Sequence, residues 1–228
     1  MKIVYPKIIS IETSTELASI AIYFGKNLIS YKNFNSFSKK ENFFKNLNFL
    51  LESANLSLSE FDGIAFGSGP GSFTGIRKAC GIAQGIGLGI NVKVIPIITL
   101  LAMAEAARSK GAGKNIISVL DARMGEVYWA QYLFKKKWKT INGPFISKPK
   151  DIKINKESIL CGNIFDKDDI NLNLFSNIKV VNNIIPHAKY IGKIAYELFD
   201  EAIHPREAEP YYLRDNVALK ISERKINL

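Results

Sequence analysis

Apolar and polar positions alternate from Lys7 onward. KIISIETS, ASIAIYF and LISY read as three strands joined by tight polar connections, an antiparallel meander. From Phe43 the period lengthens. Phe43, Leu47, Leu50, Leu51 and Ala54 fall on one helical stripe, and Phe44 and Phe49 extend beyond it. That surface is too wide for a single core contact, so part of it is expected under a second helix or against another subunit. Next come a short apolar strand from Ile64 to Phe66, a turn holding Gly67, Gly69, Pro70 and Gly71, and a helix of mostly small residues. Ser72 and Thr74 are its candidate caps. Gly81, Gly85 and Gly89 recur every fourth position along it, each costing roughly 1 kcal/mol relative to alanine. The expected compensation is a very closely packed helix, in this subunit or a partner. A strand from Val92 to Ile95, Pro96, and a helix from about Thr99 to Ala107 complete the first half, with Leu100, Met103, Ala104 and Ala107 inward.

The opening pattern then returns. NIISVLDARMGEVYWAQYLF aligns with KIISIETSTELASIAIYF at an offset of 108 residues, and WKTIN supplies a third strand. This predicts two related lobes, each a mixed sheet with helices, over residues 1–108 and 109–204, followed by a tail of residues 205–228. In the alignment Glu12 faces Leu120 and Asp121 faces Thr13, a one-residue shift that turns a side chain to the opposite sheet face. The two acids are therefore not expected to be equivalent. Residues 142–185 carry little pattern beyond short strands at Ser158 to Cys161 and Ile178 to Val181. Pro186 opens a helix with Ile191, Ile194, Ala195, Leu198 and Ala202 on its buried face. Tyr211, Tyr212 and Leu213 ahead of Arg214 read as an apolar anchor, for the subunit's own surface or for a partner.

Composition narrows the class. With 47% hydrophobic and 23% charged residues over 228 positions, the chain has apolar material enough for an ordinary globular core. MKIVYPK leads into a strand, and the apolar region after Ala79 is broken by Asn91, Lys93 and Pro96 before it reaches membrane-spanning length. A cytoplasmic location without membrane contact is expected. Cys80 and Cys161 lack metal-ligand spacing and read as buried reduced thiols. The net charge of +10 would steer a polyanion toward the chain, yet the lysines are scattered. Their densest run, Lys135-Lys136-Lys137-Trp138-Lys139, reads as a solvated hairpin turn.

The glycine turn admits two readings. A glycine loop feeding a helix N-terminus can cradle a phosphate, and it can equally be a structural turn. This one lacks the Gly-Lys-Ser/Thr ending of a P-loop. Glu12, Thr13 and Ser14 would meet it if the strands lie side by side. Glu12 is expected to hydrogen-bond the turn, and Asp121 with Arg123 to fix the turn before Gly125. His187 and His204 are read as surface or capping histidines, since a catalytic metal site needs about three protein ligands.

Four passages carry a family resemblance: IETSTELASIAIY (residues 11–23), GSGPGSFTGIRKACGIAQGIGLG (67–89), DARMGEVYWAQY (121–132) and EPYYLRDNVALK (209–220). With the duplicated strands they resemble the actin-like ATPase superfamily (ASKHA, ribonuclease H-like), and more narrowly the TsaB (YeaZ) family of tRNA threonylcarbamoyladenosine synthesis. The match fades at residues 32–46 and 135–185, and SFSKKENF stands where an Arg-Glu-His-type segment is expected. The resemblance implies an α/β, two-lobed actin-like fold with duplicated mixed sheets flanked by helices. It implies a non-catalytic relative and activator of TsaD. In that family TsaD moves the threonylcarbamoyl group from the adenylate made by TsaC to the adenosine beside the anticodon, in tRNAs reading codons that begin with A.

The implied partners are TsaD in a heterodimer, TsaE in the larger complex, a second copy when the chain is alone, and tRNA through the complex. The implied interface lies on the first two long helices, at Phe43, Leu47, Leu50, Leu51, Ala54, Phe73, Ile76, Arg77, Cys80, Gly81, Gln84 and Gly85. Glu12, Thr13, Ser14, Gly69, Gly71 and Asp121 would then be a vestigial phosphate site, with no catalytic residue, cofactor or metal. Two other classes stand beside this one. A kinase-like ATP-hydrolysing enzyme would hold magnesium on Glu12 and Asp121, although the second lobe offers only Gly162 where a paired-glycine adenosine loop is needed. A direct tRNA-binding module would need clustered arginines and exposed aromatics in a groove.

Overall fold

The computed structural model describes residues 5–35, 42–155, 157–164, 175 and 178–214. Strands β1 (Lys7–Glu12), β2 (Leu17–Phe24) and β3 (Asn27–Asn35) form the antiparallel meander that the alternation predicts. β4 (Gly63–Gly69) and β5 (Lys93–Ile98) extend it in parallel, in the order β3-β2-β1-β4-β5. The second lobe repeats the plan. β6 (Asn115–Arg123), β7 (Glu126–Phe134) and β8 (Trp138–Ser147) are antiparallel, and β9 (Ile159–Gly162) and β10 (Val180–Val181) add in parallel, in the order β10-β9-β6-β7-β8. The sequence offset survives in three dimensions: Ile9 pairs with Ile22 and Ile64, and Ile117 pairs with Gln131 and Leu160. Pro96 lies inside β5 instead of ending a strand, which an edge position permits because one side of its backbone needs no partner.

The helices among the described residues are α1 (Phe43–Ala54), α2 (Phe73–Gly89), α3 (Thr99–Ser109) and α4 (Ala188–Glu197). Asn42 caps α1 by accepting from Phe44 N at 2.9 Å, and Asn55 ends it in the left-handed region. Ser72 sits at the N-cap of α2 but makes no side-chain cap, and Thr74 lies within the helix. α4 stops sooner than its periodicity suggests, since Leu198 is already its C-cap and Ala202 follows a short 3-10 turn.

Period-two alternation decides which helices cover which face. Ile9, Ile11, Ile20, Ile22, Ile64 and Phe66 form one core with α1 and α2. Ile8, Ala21, Tyr23 and Ala65 face the other way, into a core with Ile191, Ile194 and Ala195 of α4. The lobes thus exchange helices. α4 follows the second sheet in sequence yet covers the first. α3 precedes the second sheet and buries Leu100, Met103, Ala104 and Ala107 against Ile116, Leu120 and Tyr132. Boundaries at 108 and 204 divide the chain but not the packing units. Where α3 and α4 meet, Glu105 is 2% exposed and holds Arg108, Lys193 and Trp138 Nε1 at 2.8, 2.6 and 2.9 Å. Burial alone would raise its pKa, but the Arg108 and Lys193 bonds win and hold the carboxylate low.

α4 is seated on β1 and β2 by serines: Ser10 Oγ donates to Ala188 O and Ser19 Oγ accepts from Ala188 N, both at 2.9 Å. His187 caps it, with Nδ1 accepting from Lys189 N at 3.0 Å and Nε2 lying 2.7 Å from Asn33 Oδ1. Only the neutral ring protonated on Nε2 satisfies both contacts. Burial, reinforced by Lys189, pushes the imidazole pKa down from 6.5 to about 4. The unfolded chain therefore takes up this proton first, so the contribution is full above about pH 6.5 and is lost as pH falls toward 4. Urea denaturation should show a loss on the order of 2–3 kcal/mol across that window. His187→Asn keeps a capping oxygen and should flatten the loss. An unchanged pH slope in that variant would assign the effect to another group.

Candidate functional site

The glycine turn after β4 clasps the end of β1. Thr13 Oγ1 donates to Gly75 O at 2.7 Å, and Ser72 N donates to Ser14 O at 2.8 Å. A Cβ on Gly75 would lie 2.0 Å from the Thr13 carbonyl oxygen, so only glycine admits this approach. At Gly67 the added atom would lie 2.1 Å from Glu12 Oε2. Glu12 is fully buried, its Oε1 accepts from Ser14 N at 2.6 Å, and burial pushes its pKa up despite the bonds from Ser14 and Thr13. The acid thus serves the end of its own strand, pressed against Gly67, where the sequence reading had it hydrogen-bond the turn.

The close-approach positions of the turn already receive protein: Glu12 at Gly67, the Tyr211 carbonyl at Gly69 and the Ser14 side chain at Gly71. Beyond the turn a cleft of about 740 Å³ separates the lobes, bordered by Ser14, Gly71 and Phe73 on one side and by Asp121 and Arg123 on the other. Asp121 accepts from Arg123 N at 2.8 Å, which is the predicted turn-fixing contact. Its side chain is 20% exposed at the cleft while Glu12 is sealed. A one-residue shift in the repeat therefore places the two acids differently, as the alignment suggests.

The outer faces of α1 and α2 form the second feature. Phe43, Leu47, Leu50 and Leu51 on α1, with Cys80 on α2, are buried in the first-lobe core, and Ile76 is buried at the cleft. The stripe with the cleanest period is thus the stripe that the subunit's own sheet covers. The residues extending beyond it are the ones left outside, with Phe44 and Phe49 each 55% exposed, Leu88 48% and Phe73 39%. No described atom lies within 4 Å of a Cβ built on Gly81, Gly85 or Gly89, so none of the described helices covers the glycine stripe. Ala54 is half-buried at the end of α1. Arg77 is exposed, stacked 3.6 Å over the Phe73 ring, and Gln84 is bound by the tail.

Comparison with known proteins places this architecture. A family model described as TsaD: tRNA N6-adenosine threonylcarbamoyltransferase matches residues 37–158. The chain is 30% identical to the tRNA threonylcarbamoyladenosine biosynthesis protein TsaB of Escherichia coli strain K12, over 94% of this chain and 97% of that protein. The chain belongs to the TsaB family. The TsaB protein of Haemophilus influenzae is 31% identical, over 93% of this chain and 95% of its own length. The solved structure of YeaZ from Pseudomonas aeruginosa shares the fold, with a TM-score of 0.80 at 23% identity, covering 91% of this chain and all of that one. The fold is thus the duplicated actin-like one that the resemblance implies.

Within this TsaB-family frame the tail supplies residues whose role the sequence left open. It returns along α2, where Gln84 Nε2 donates to Ala208 O at 3.0 Å, and Tyr211 N donates to Ser68 O at 2.8 Å. Arg77 Nε donates to Tyr212 Oη at 2.6 Å, Leu213 packs on the second-lobe core, and Arg214 pairs with Glu126. The anchor docks on its own subunit and ties α2 to the second lobe across the cleft. Residues 215–220 of EPYYLRDNVALK and 36–41 of SFSKKENF lie outside the described residues. Both histidines are helix caps, His204 accepting from Arg206 N at 3.2 Å, and both cysteines are free and buried. No helix among the described residues is long and apolar enough to cross a membrane.

Proposed function

We propose that this chain is a non-catalytic partner and activator of a TsaD-type transferase in tRNA threonylcarbamoyladenosine synthesis. It docks through the outer faces of α1 and α2, and holds its partner in a competent conformation. The observation that carries this reading is the apolar surface left exposed on both helices: Phe44 and Phe49 on α1, and Phe73, Leu88 and a glycine stripe with open space above it on α2. Aromatic anchors around a smooth backbone track suit the close approach of a partner helix. A second copy occupies the face when the chain is alone, TsaD displaces it, TsaE joins the pair, and tRNA is reached through the assembly. The carboxyls at the strand ends support a non-catalytic role, since Glu12 is sealed against Gly67 and Asp121 is bound to Arg123 N.

Sedimentation velocity of the chain alone and mixed with TsaD tests this. A homodimer that yields to a one-to-one heterodimer is the expected result. A chain that ignores TsaD would overturn the reading and move attention to ATP hydrolysis by Glu12→Gln and Asp121→Asn variants.

A further inference from the structure

The lysine run at the β7–β8 turn looks different once the fold shows what surrounds it. Lys135, Lys136, Lys137 and Lys139 are exposed at the tip of that hairpin. Phe134 N donates to Lys114 O at 2.8 Å, which brings the α3–β6 connection alongside, and the Arg108 guanidinium lies 4.0 Å over the Phe134 ring. Lys193 of α4 reaches the same corner, its Nζ lying 2.6 Å from Glu105 and 3.2 Å from Ser109 Oγ. Lys26 Nζ lies 5.6 Å from the centre of the Tyr196 ring on α4, next to Glu197, so the β2–β3 turn is there as well. Segments spread from residue 26 to residue 193 thus pool their cations at one end of the molecule.

Two acids face this group. Glu105 is 2% exposed and closed off by Arg108 and Lys193, and Glu197 stands on α4 beside them. Exposed large apolar side chains at this corner are Phe24 and Leu28 beside Lys26, and none falls in residues 108–114 or 134–139. A membrane-surface segment needs a continuous apolar face to enter the lipid, whereas the hairpin tip itself presents four exposed lysines. Flexible lysines suit the evenly spaced charges of a phosphate backbone, which they bind as point charges without reading sequence.

We propose that this corner binds the phosphate backbone of RNA. The affinity for phosphate rests on the cations, and the choice of tRNA as the RNA rests on the function proposed above. The corner lies at the tip of the β7–β8 hairpin, on the second lobe, whereas the docking face is on α1 and α2 of the first. One surface can therefore hold a partner while the other holds tRNA. The contact would be sequence-independent and driven by counterion release.

Fluorescence anisotropy with labelled tRNA, on the full chain alone and paired with TsaD, tests this across about 50 to 200 mM salt. Affinity is expected to fall steeply with salt. The triple variant Lys135→Ala, Lys136→Ala, Lys137→Ala should bind about tenfold or more weakly at the low end, with a log-log salt slope smaller by about 3, near 1 per lysine. Its sedimentation with TsaD should match the unaltered chain. Lys148→Ala with Lys150→Ala, beyond the other end of β8, should leave tRNA binding as it was. Absence of tRNA binding at low salt, a triple variant indistinguishable from the original, or preference for phosphatidylserine vesicles over tRNA would each overturn the proposal. Salt-sensitive tRNA binding by a chain that ignores TsaD would support this corner and defeat the partner reading alone.

Discussion

Alanine at Gly75 and alanine at Gly81 will move the stability of this chain in opposite directions. Both residues lie in α2, and replacing a helical glycine gains roughly 1 kcal/mol from backbone entropy at either place. At Gly81 no described atom lies within 4 Å of the added methyl, so the gain should appear undiminished in the urea midpoint. At Gly75 the methyl would sit 2.0 Å from the Thr13 carbonyl oxygen and 3.0 Å from its carbon. These are backbone atoms, and they cannot swing away as a side chain can. Relief means drawing β1 and α2 apart, which breaks the Thr13–Gly75 and Ser72–Ser14 hydrogen bonds together. A net loss of about 3 kcal/mol is expected, the clash and two buried bonds outweighing the helix gain. Equal midpoints for the two variants would show that the turn does not clasp the strand.

Leu47→Asp and Gly85→Asp should separate folding from docking. Leu47 is 1% exposed inside the first-lobe core, and a carboxylate there would meet apolar side chains. Burying that group unpaired should destabilise by about 4 kcal/mol or more, so the variant is expected to unfold and not merely to stop pairing. At Gly85 the new carboxylate points into open space and stays hydrated, leaving monomer stability within about 1 kcal/mol. Docking would then have to strip its water against an apolar partner face. Affinity for TsaD should fall at least about a hundredfold. Sedimentation with TsaD and urea denaturation of each variant make the comparison. Normal pairing by Gly85→Asp would remove the docking face from consideration.

These two contrasts also show where reading the chain stops. Strand and helix positions were legible because side-chain spacing at period 2 or 3.6 is a local property, felt before any tertiary contact forms. The repeat at an offset of 108 was legible for the same reason, and the two sheets share one topology because they share one pattern. Pro96 was misplaced because whether a strand tolerates proline depends on its being at a sheet edge, which its own sequence does not state. The acids Glu12 and Asp121 were placed at the right strand ends. That Glu12 is pressed against Gly67 follows from the parallel pairing of β1 with β4, residues more than fifty apart in sequence.

The sequence by itself determined the two mixed sheets and the presence of more apolar helix surface than one core contact uses. Only the tertiary structure decided which part of that surface was left over. It put Leu47 inside and Phe49 outside, and gave α3 to the second sheet and α4 to the first. It also separated glycines that look alike in the chain, packing Gly75 against backbone and leaving Gly81 and Gly85 open. The lysines near residue 136 became a charged corner only when Arg108, Lys114, Lys193 and Lys26 were folded beside them. The physical reason is common to all of these. Periodicity encodes that a face is apolar, small or charged, whereas what covers that face is set by contacts between segments distant in sequence.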